Sequence, residues 1–465
     1  MTRKFFWPLI RPVLVLAACA TVLARTASAQ WNEQVLYTFQ GGTDGQWPLG
    51  SMVFDSAGNL YGTTEAGGTS SCTSFGWCGT VYQLAPPEQP GGSWTETVLH
   101  AFQGHPTGDA SAPFGGLVID ASGNLYGATN YGGTGDCDVF GTFPGCGTVY
   151  ELSPPKEKGG AWTEQVLYSF QGGSDGFVPF GDLVVDSSGN LYGTTQFGGG
   201  RGTNCGDDLY PYCGTVFELS PPKVQGSPWT EQILYSFEGM TSGGTLGDGA
   251  RPSGGMIFDR AGNLYGTTQI GGSGKVTGNG TVFRLAPPTK PGETWTETVI
   301  HRFEGPDGDC PIGDLLLDKY GNLYGTTEFG GDSRYPSGEV FELSAQSNDE
   351  WKIKLVYSFY DGTDGSAPEA GVISDAAGSL YGTATQGGGT GSGGTVFELR
   401  PTAAETRSFE LLHFFPGYPD GSNPASRLMF DPSGNIFGSA EYQSYDSGSL
   451  CGSFGCGVIF EITPP

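Results

Sequence analysis

The phrase Gly-Asn-Leu-Tyr-Gly-Thr-Thr, or a close variant of it, returns seven times, and this recurrence constrains the fold more than any other feature. Its Asn stands at Asn59, Asn124, Asn190, Asn263, Asn322 and Asn435, with Ser379 in the remaining register, so that the intervals are 65, 66, 73, 59, 57 and 56 residues. A period of this size marks an architecture in which each unit buries its apolar face against its neighbours. The units run from Gln30 to Pro465 and leave no room for another domain.

Each unit holds four strand-like segments, for example Leu183–Val185, Leu191–Thr195, Gly214–Leu219 and Trp229–Phe237. They are rich in β-branched and aromatic residues and bounded by Gly, Pro, Asn and Asp. Helical periodicity is not sustained anywhere. The first two segments are joined by turns such as Asp186-Ser-Ser-Gly-Asn190, which suit a tight hairpin. Four strands per unit is the arithmetic of a propeller blade. The predicted fold is therefore all-β, a seven-bladed β-propeller of four-stranded blades spanning 30–465. The chain opens on a fourth-strand segment, Trp31–Phe39, and closes on a third-strand segment, Gly457–Ile462. The N-terminal strand is thus expected to complete the last blade and close the ring, which also removes exposed sheet edges. A Gly inside every second strand (Gly62, Gly127, Gly193, Gly266, Gly325, Gly382, Gly438) is read as relief of crowding between neighbouring blades near the axis. Fourth strands end in Phe and open on Trp, except that Arg407 takes the Trp place once; these aromatics are core candidates.

The succession of D-x-x-G-N-L-Y-G-T-T and a G-T-V-[FY]-E-L strand resembles the GloVer tandem-repeat family of secreted bacterial proteins, over essentially the whole chain after residue 29. The resemblance implies an extracytoplasmic repeat protein. It brings no catalytic residues to carry over. Many relatives end in a surface-sorting anchor, a pattern that Glu461-Ile-Thr-Pro-Pro465 does not match.

Arg3, Lys4 and Arg11 precede a short apolar run, Val13 to Ala24, and Ala27-Ser28-Ala29 then offers a cleavage site, so residues 1–29 are read as a signal peptide. Leu16-Ala17-Ala18-Cys19 is a rival site, which would make the product a lipoprotein anchored through Cys19. The run is too short to span a bilayer, and no second segment is apolar enough to do so. The expected location is secreted or periplasmic. Glycine numbers 81 and proline 31, which borders on low complexity, but 13% aromatic and only 15% charged residues argue for a packed core. Net charge is −27, and loss of residues 1–29 removes four basic residues and no acidic ones, giving −31. Such a balance excludes a partner held by phosphates, favours solubility, and suits a monomer.

Any site is expected on the face that carries the loops after the second and fourth strands, which are long and rich in Gly, Asp, Cys and aromatics. In every copy an Asp stands four residues before a Pro: Asp44, Asp109, Asp175, Asp248, Asp307, Asp364 and Asp420. These carboxylates read first as turn formers, and otherwise as a ring binding Ca²⁺ or polyhydroxyl ligands. The hairpin acids, Asp55 and its equivalents, read as turn formers. Loop aromatics, chief among them Trp47, Trp77, Tyr131 and Tyr212, have the character of a sugar-binding face beside such acids. Eight Cys form close pairs in equivalent loops, Cys72 with Cys78, Cys137 with Cys146, Cys205 with Cys213 and Cys451 with Cys456, and predict four local disulfides. Cys310 is left over.

Catalytic signatures such as HExxH, GxSxG and CxxC are absent from the sequence. His100, His301 and His413 fill a fourth-strand position that is Tyr in other copies and read as packing residues. The leading expectation is a binding or interaction module for glycans or cell-envelope partners, with no cofactor beyond Ca²⁺ and with no catalysis. The alternatives are an extracytoplasmic carbohydrate-active enzyme of glycoside hydrolase or lyase type, and a purely structural surface protein. An enzyme should hold an asymmetric acid cluster in a deep pocket; a module should present a shallow, quasi-symmetric face.

Overall fold

A computed structural model describes residues 31–465 apart from 69–77, 90, 105–106, 140–142, 158, 200–212, 225, 240–246, 273–277, 291, 332–336, 348–349, 361, 390–392, 405, 444–450 and 452–453. The expected leader, Cys19, Trp77, Tyr212, Cys72 and Cys205 lie outside the described residues.

Seven antiparallel sheets carry the repeat, and in all but the last the strands follow chain order from the axis outward. Blade 1, for instance, consists of Val53–Phe54, Leu60–Thr64, Thr80–Ala85 and Thr95–Ala101. Blade 7 takes Met429–Phe430, Ile436–Ala440 and Val458–Thr463 from the C-terminal end, and its outer strand is Asn32–Thr38. Asn32 pairs with Thr463 and Thr38 with Val458, so the ring is closed by the N-terminal strand as the sequence predicts. The Ser439 hydroxyl adds a bond of 2.8 Å to the Pro48 carbonyl across the same seam.

Aromatic pairs join each blade to the next. Each Phe at a fourth-strand end meets the third-strand ring of the following blade, as in Phe39 with Tyr82, Phe170 with Phe217 and Phe415 with Phe460, at centroid distances of 5.1 Å. Edge-to-face contacts of this kind contribute about 0.5–1.5 kcal/mol each beyond the area they bury. Each opening Trp lies against the second-strand ring of the preceding blade, Trp162 on Tyr61 at 5.9 Å and Trp31 on Tyr381 at 6.2 Å. Arg407 fills the Trp role by stacking its guanidinium 5.5 Å over Tyr324, a cation–π contact in place of an aromatic one.

The second-strand glycine has a different cause from the one expected. Gly193 is paired with Phe217 across the sheet, and a Cβ on Gly193 would lie 2.5 Å from that ring. The ring that requires the glycine therefore belongs to the same blade. Crowding between blades at the axis falls instead on the glycine preceding the first strand: a Cβ on Gly254 would meet the Gly313 carbonyl oxygen at 2.7 Å.

Candidate functional site at the channel mouth

The loop aspartates are fastened within their own blades. Tyr37, Tyr168, Tyr235 and Tyr357 donate their hydroxyls to Asp44, Asp175, Asp248 and Asp364 at 2.6–2.7 Å. A backbone N–H from the same loop adds a second bond, as Gln40 does to Asp44 at 2.6 Å. His301 takes the Tyr role toward Asp307 at 2.9 Å, while His100 and His413 stand 3.7 and 3.8 Å from Asp109 and Asp420. The turn-forming part of the sequence reading thus has a geometric basis, and the Tyr/His position is its partner. The hairpin acids behave alike. Asp55 accepts bonds from the backbone N–H groups of Ala57 and Asn59 and from the Asn59 amide. Partial burial pushes its carboxyl up, but the bonds from Asn59, Tyr61 and Ala57 outweigh that and hold it below the ordinary value.

The conserved proline explains the spacing of the loop. The residue before it adopts a positive φ in all seven copies, from 54° at Ala367 to 63° at Trp47. A side chain in this region costs on the order of 1–2 kcal/mol. The return is a two-sided link. The Trp47 N–H donates to Cys456 of blade 7 at 2.9 Å, and its carbonyl accepts from Glu65 of blade 1 at 3.0 Å. The Trp47 indole also donates to the Gly455 carbonyl at 3.2 Å, so this ring is committed to the seam between blades. Tyr131 is half-buried and packs on the core between blades 2 and 3.

This link bonds the residue that follows the Leu-Tyr-Gly-Thr-Thr register of the second strand, and that residue stands at the mouth of the central channel. In chain order that residue is Glu65, Asn130, Gln196, Gln269, Glu328, Thr385 and Glu441. With Glu369, the acids gather on blades 5, 6, 7 and 1, while the equivalent positions of blades 2, 3 and 4 hold the uncharged Asn130, Gln196 and Gln269. A cavity of about 390 Å³ is lined by Glu65, Glu369 and Glu441 above and by Asp182, Asp314 and Arg427 deeper in the channel. Three of the four mouth acids have side-chain partners: Glu328 accepts from the Cys310 thiol at 3.4 Å, Glu369 from the Thr385 hydroxyl at 3.0 Å, and Glu441 from the Asn423 amide. Glu65, 6% exposed, has no such partner among the described residues. Burial, then the Glu441 charge, pushes it up to about 8. Burial and Glu328 bring Glu369 to about 7, and burial raises Glu441. At neutral pH the mouth therefore holds carboxyls in both protonation states, an arrangement able to donate and accept hydrogen bonds or protons.

The family model of the Gloeobacter/Verrucomicrobia repeat matches residues 20–207 and 140–392. The chain belongs to this repeat family. A comparison with curated proteins returns no match. Among solved structures, this repeat protein is similar to a protein proposed as a gluconolactonase, at 13% identity over 94% of this chain and 93% of that one, with a TM-score of 0.37. It is also similar to a protein of unknown function from Dyadobacter fermentans, at 11% identity, 93% and 99% coverage and a TM-score of 0.44. Luciferin-regenerating enzyme matches at 12% identity, 75% and 90% coverage and a TM-score of 0.42.

Deeper in the channel of the repeat protein, Arg427 of blade 7 reaches 3.7 Å to Asp314 of blade 5. Asp314 accepts from the Gly255 N–H at 2.5 Å, and Asp182 from the Gly116 N–H at 2.6 Å. Burial, and then the neighbouring Asp182, keep the Asp314 carboxyl above its ordinary value. These three side chains form the cavity floor. The disulfides Cys137–Cys146 and Cys451–Cys456 are present as predicted, and they suit an oxidising compartment. Cys78 and Cys213 are fully buried, and Cys310 is a free thiol, raised by burial and then by Glu328. No helix among the described residues is long and apolar enough to cross a membrane.

The mouth acids do not stand out in the sequence, because they occupy a position that differs between copies of the repeat. The position after Thr-Thr varies from copy to copy within an otherwise constant phrase, and that variation was the available signal.

Proposed function

We propose that this chain is an exported propeller whose channel mouth binds a polyhydroxylated ligand, such as the end of a glycan. The observation that carries the reading is the confinement of Glu65, Glu328, Glu369 and Glu441 to one arc of the mouth. A seven-fold scaffold has no structural need for such asymmetry, whereas a ligand with distinct ends does. Protonated and ionised carboxyls side by side match the mixed donors and acceptors of sugar hydroxyls. A second reading, hydrolysis of the bound glycan, is favoured by the same asymmetric cluster, which is the feature expected of an enzyme, and by Glu65 within it: a buried acid raised to about 8 beside Glu441 has the form of a proton donor. Glycan-array binding by the purified protein, repeated with a Glu65→Gln/Glu441→Gln variant, tests both. Expected is binding of a defined glycan class that the variant loses at least tenfold. Equal binding by the variant, or none by the wild type, removes the proposal, and release of reducing ends would favour the second reading.

A further inference from the structure

We propose that two of the seven blade junctions are Zn²⁺ sites, each built from one His, one Asp and one Glu. The first joins His100 and Asp109 to Glu164 of blade 2; the second joins His413 and Asp420 to Glu33 of blade 7. In each set one nitrogen and two carboxylate oxygens lie within 4.8 Å of one another. The His Nε2 atoms of both sets are buried without a hydrogen-bond partner; Glu164 Oε1 and Glu33 Oε1 are unpaired too, but so are Glu96, Glu231 and Glu297 Oε1 in the Tyr copies, so the imidazole nitrogens are what set these two junctions apart. Unpaired buried polar atoms are costly and call for an explanation.

The repeat supplies its own control. Two positions vary independently at this junction: the Tyr or His near the end of the fourth strand, and the residue two after the opening Trp in the next blade. The second is Glu at Glu33, Glu96, Glu164, Glu231 and Glu297, but Ile353 and Phe409 in blades 5 and 6. Where His meets Ile353, His301 bonds directly to Asp307 at 2.9 Å. Where Tyr meets Glu, the hydroxyl donates directly to Asp, as Tyr168 does to Asp175 at 2.7 Å. Only where His meets Glu do the ring and the carboxylate stand apart, at 3.7 and 3.8 Å. Ligands about 2.0–2.2 Å from a tetrahedral Zn²⁺ lie roughly 3.3–3.5 Å from one another, so a shared ion fits this separation with little movement. The neutral imidazole favours Zn²⁺ over an oxygen-seeking Ca²⁺. A Phe ring packs edge-on against each imidazole, Phe102 on His100 and Phe415 on His413, both at 4.8 Å, and fixes its orientation. Three protein ligands leave a fourth position for water, and each ion would tie two blades together.

The test uses the exported chain, free of any His tag, dialysed against Zn²⁺ and assayed for bound metal by mass spectrometry. Because Tyr is the residue of four other copies, His100→Tyr and His413→Tyr remove the ligand while keeping the fold. Expected are one equivalent fewer in each single variant and two fewer in the double variant, with His301→Tyr unchanged. The thermal shift on adding Zn²⁺ should fall in step. Equal zinc content in the wild type and the double variant, or an equal loss in His301→Tyr, would overturn the assignment.

Discussion

Glu65 carries the largest local conflict among the mouth acids, since it is buried, unbonded through its side chain and close to Glu441. Its folded value near 8 lies above the unfolded one, so the fold favours the protonated form. Stability from this group is complete below about pH 4.5 and is lost as pH rises through about 8. Glu65→Gln fixes the neutral state. Between pH 6 and pH 9 the wild type should lose on the order of 3 kcal/mol relative to the variant. Urea unfolding at both pH values reads this directly, and parallel behaviour of the two proteins would contradict the burial argument. Little of this was legible in the sequence. An acid after Thr-Thr looks like any other, and its protonation state depends on a cavity that only the closed ring creates. The loop aspartates were legible, because the Asp-to-Pro spacing is constant; their Tyr and His partners were seen as packing alone, since no sequence pattern announces a bond between a strand and the following loop.

The second and third strands of each blade are one packing unit, a glycine facing a ring. Gly193→Ala places a methyl group 2.5 Å from Phe217, whose surroundings are fully buried and cannot yield. Overpacking of this kind costs about 1–3 kcal/mol. Gly91→Ala, in a turn with nothing within 4 Å, should cost only the strain of its positive φ, about 1 kcal/mol. Denaturation midpoints of the two variants give the comparison, and a cost at Gly193 no greater than that at Gly91 would refute the steric account. Strand identity and order were readable from composition and spacing, because β-branched runs between turn residues have few alternatives. The partner of the glycine was not, since a sequence records that space is needed but not which neighbour fills it.

At the level of the whole ring, the offset between the first and last segments was the clearest single message in the sequence, and the pairing of Asn32 with Thr463 matches it. Deleting residues 30–39 should leave blade 7 with three strands and strip Phe39 from Tyr82. The expected result is loss of the cooperative thermal transition, measured by circular dichroism; a truncated chain that melts within a few degrees of the full one would show the latch to be dispensable. The seven-fold count was legible because the repeat is complete, whereas the asymmetry of the channel was not, because it resides in the differences between copies. The latch also sets a timetable. The first strand of the propeller to be synthesised has its partner at the far end of the chain, 431 residues later. Until that partner arrives, two complementary strand edges wait unpaired, an invitation to mispairing between molecules. Ring closure is therefore expected to be the slow, last step of folding, and the length of that wait is the period in which a holdase chaperone would matter most.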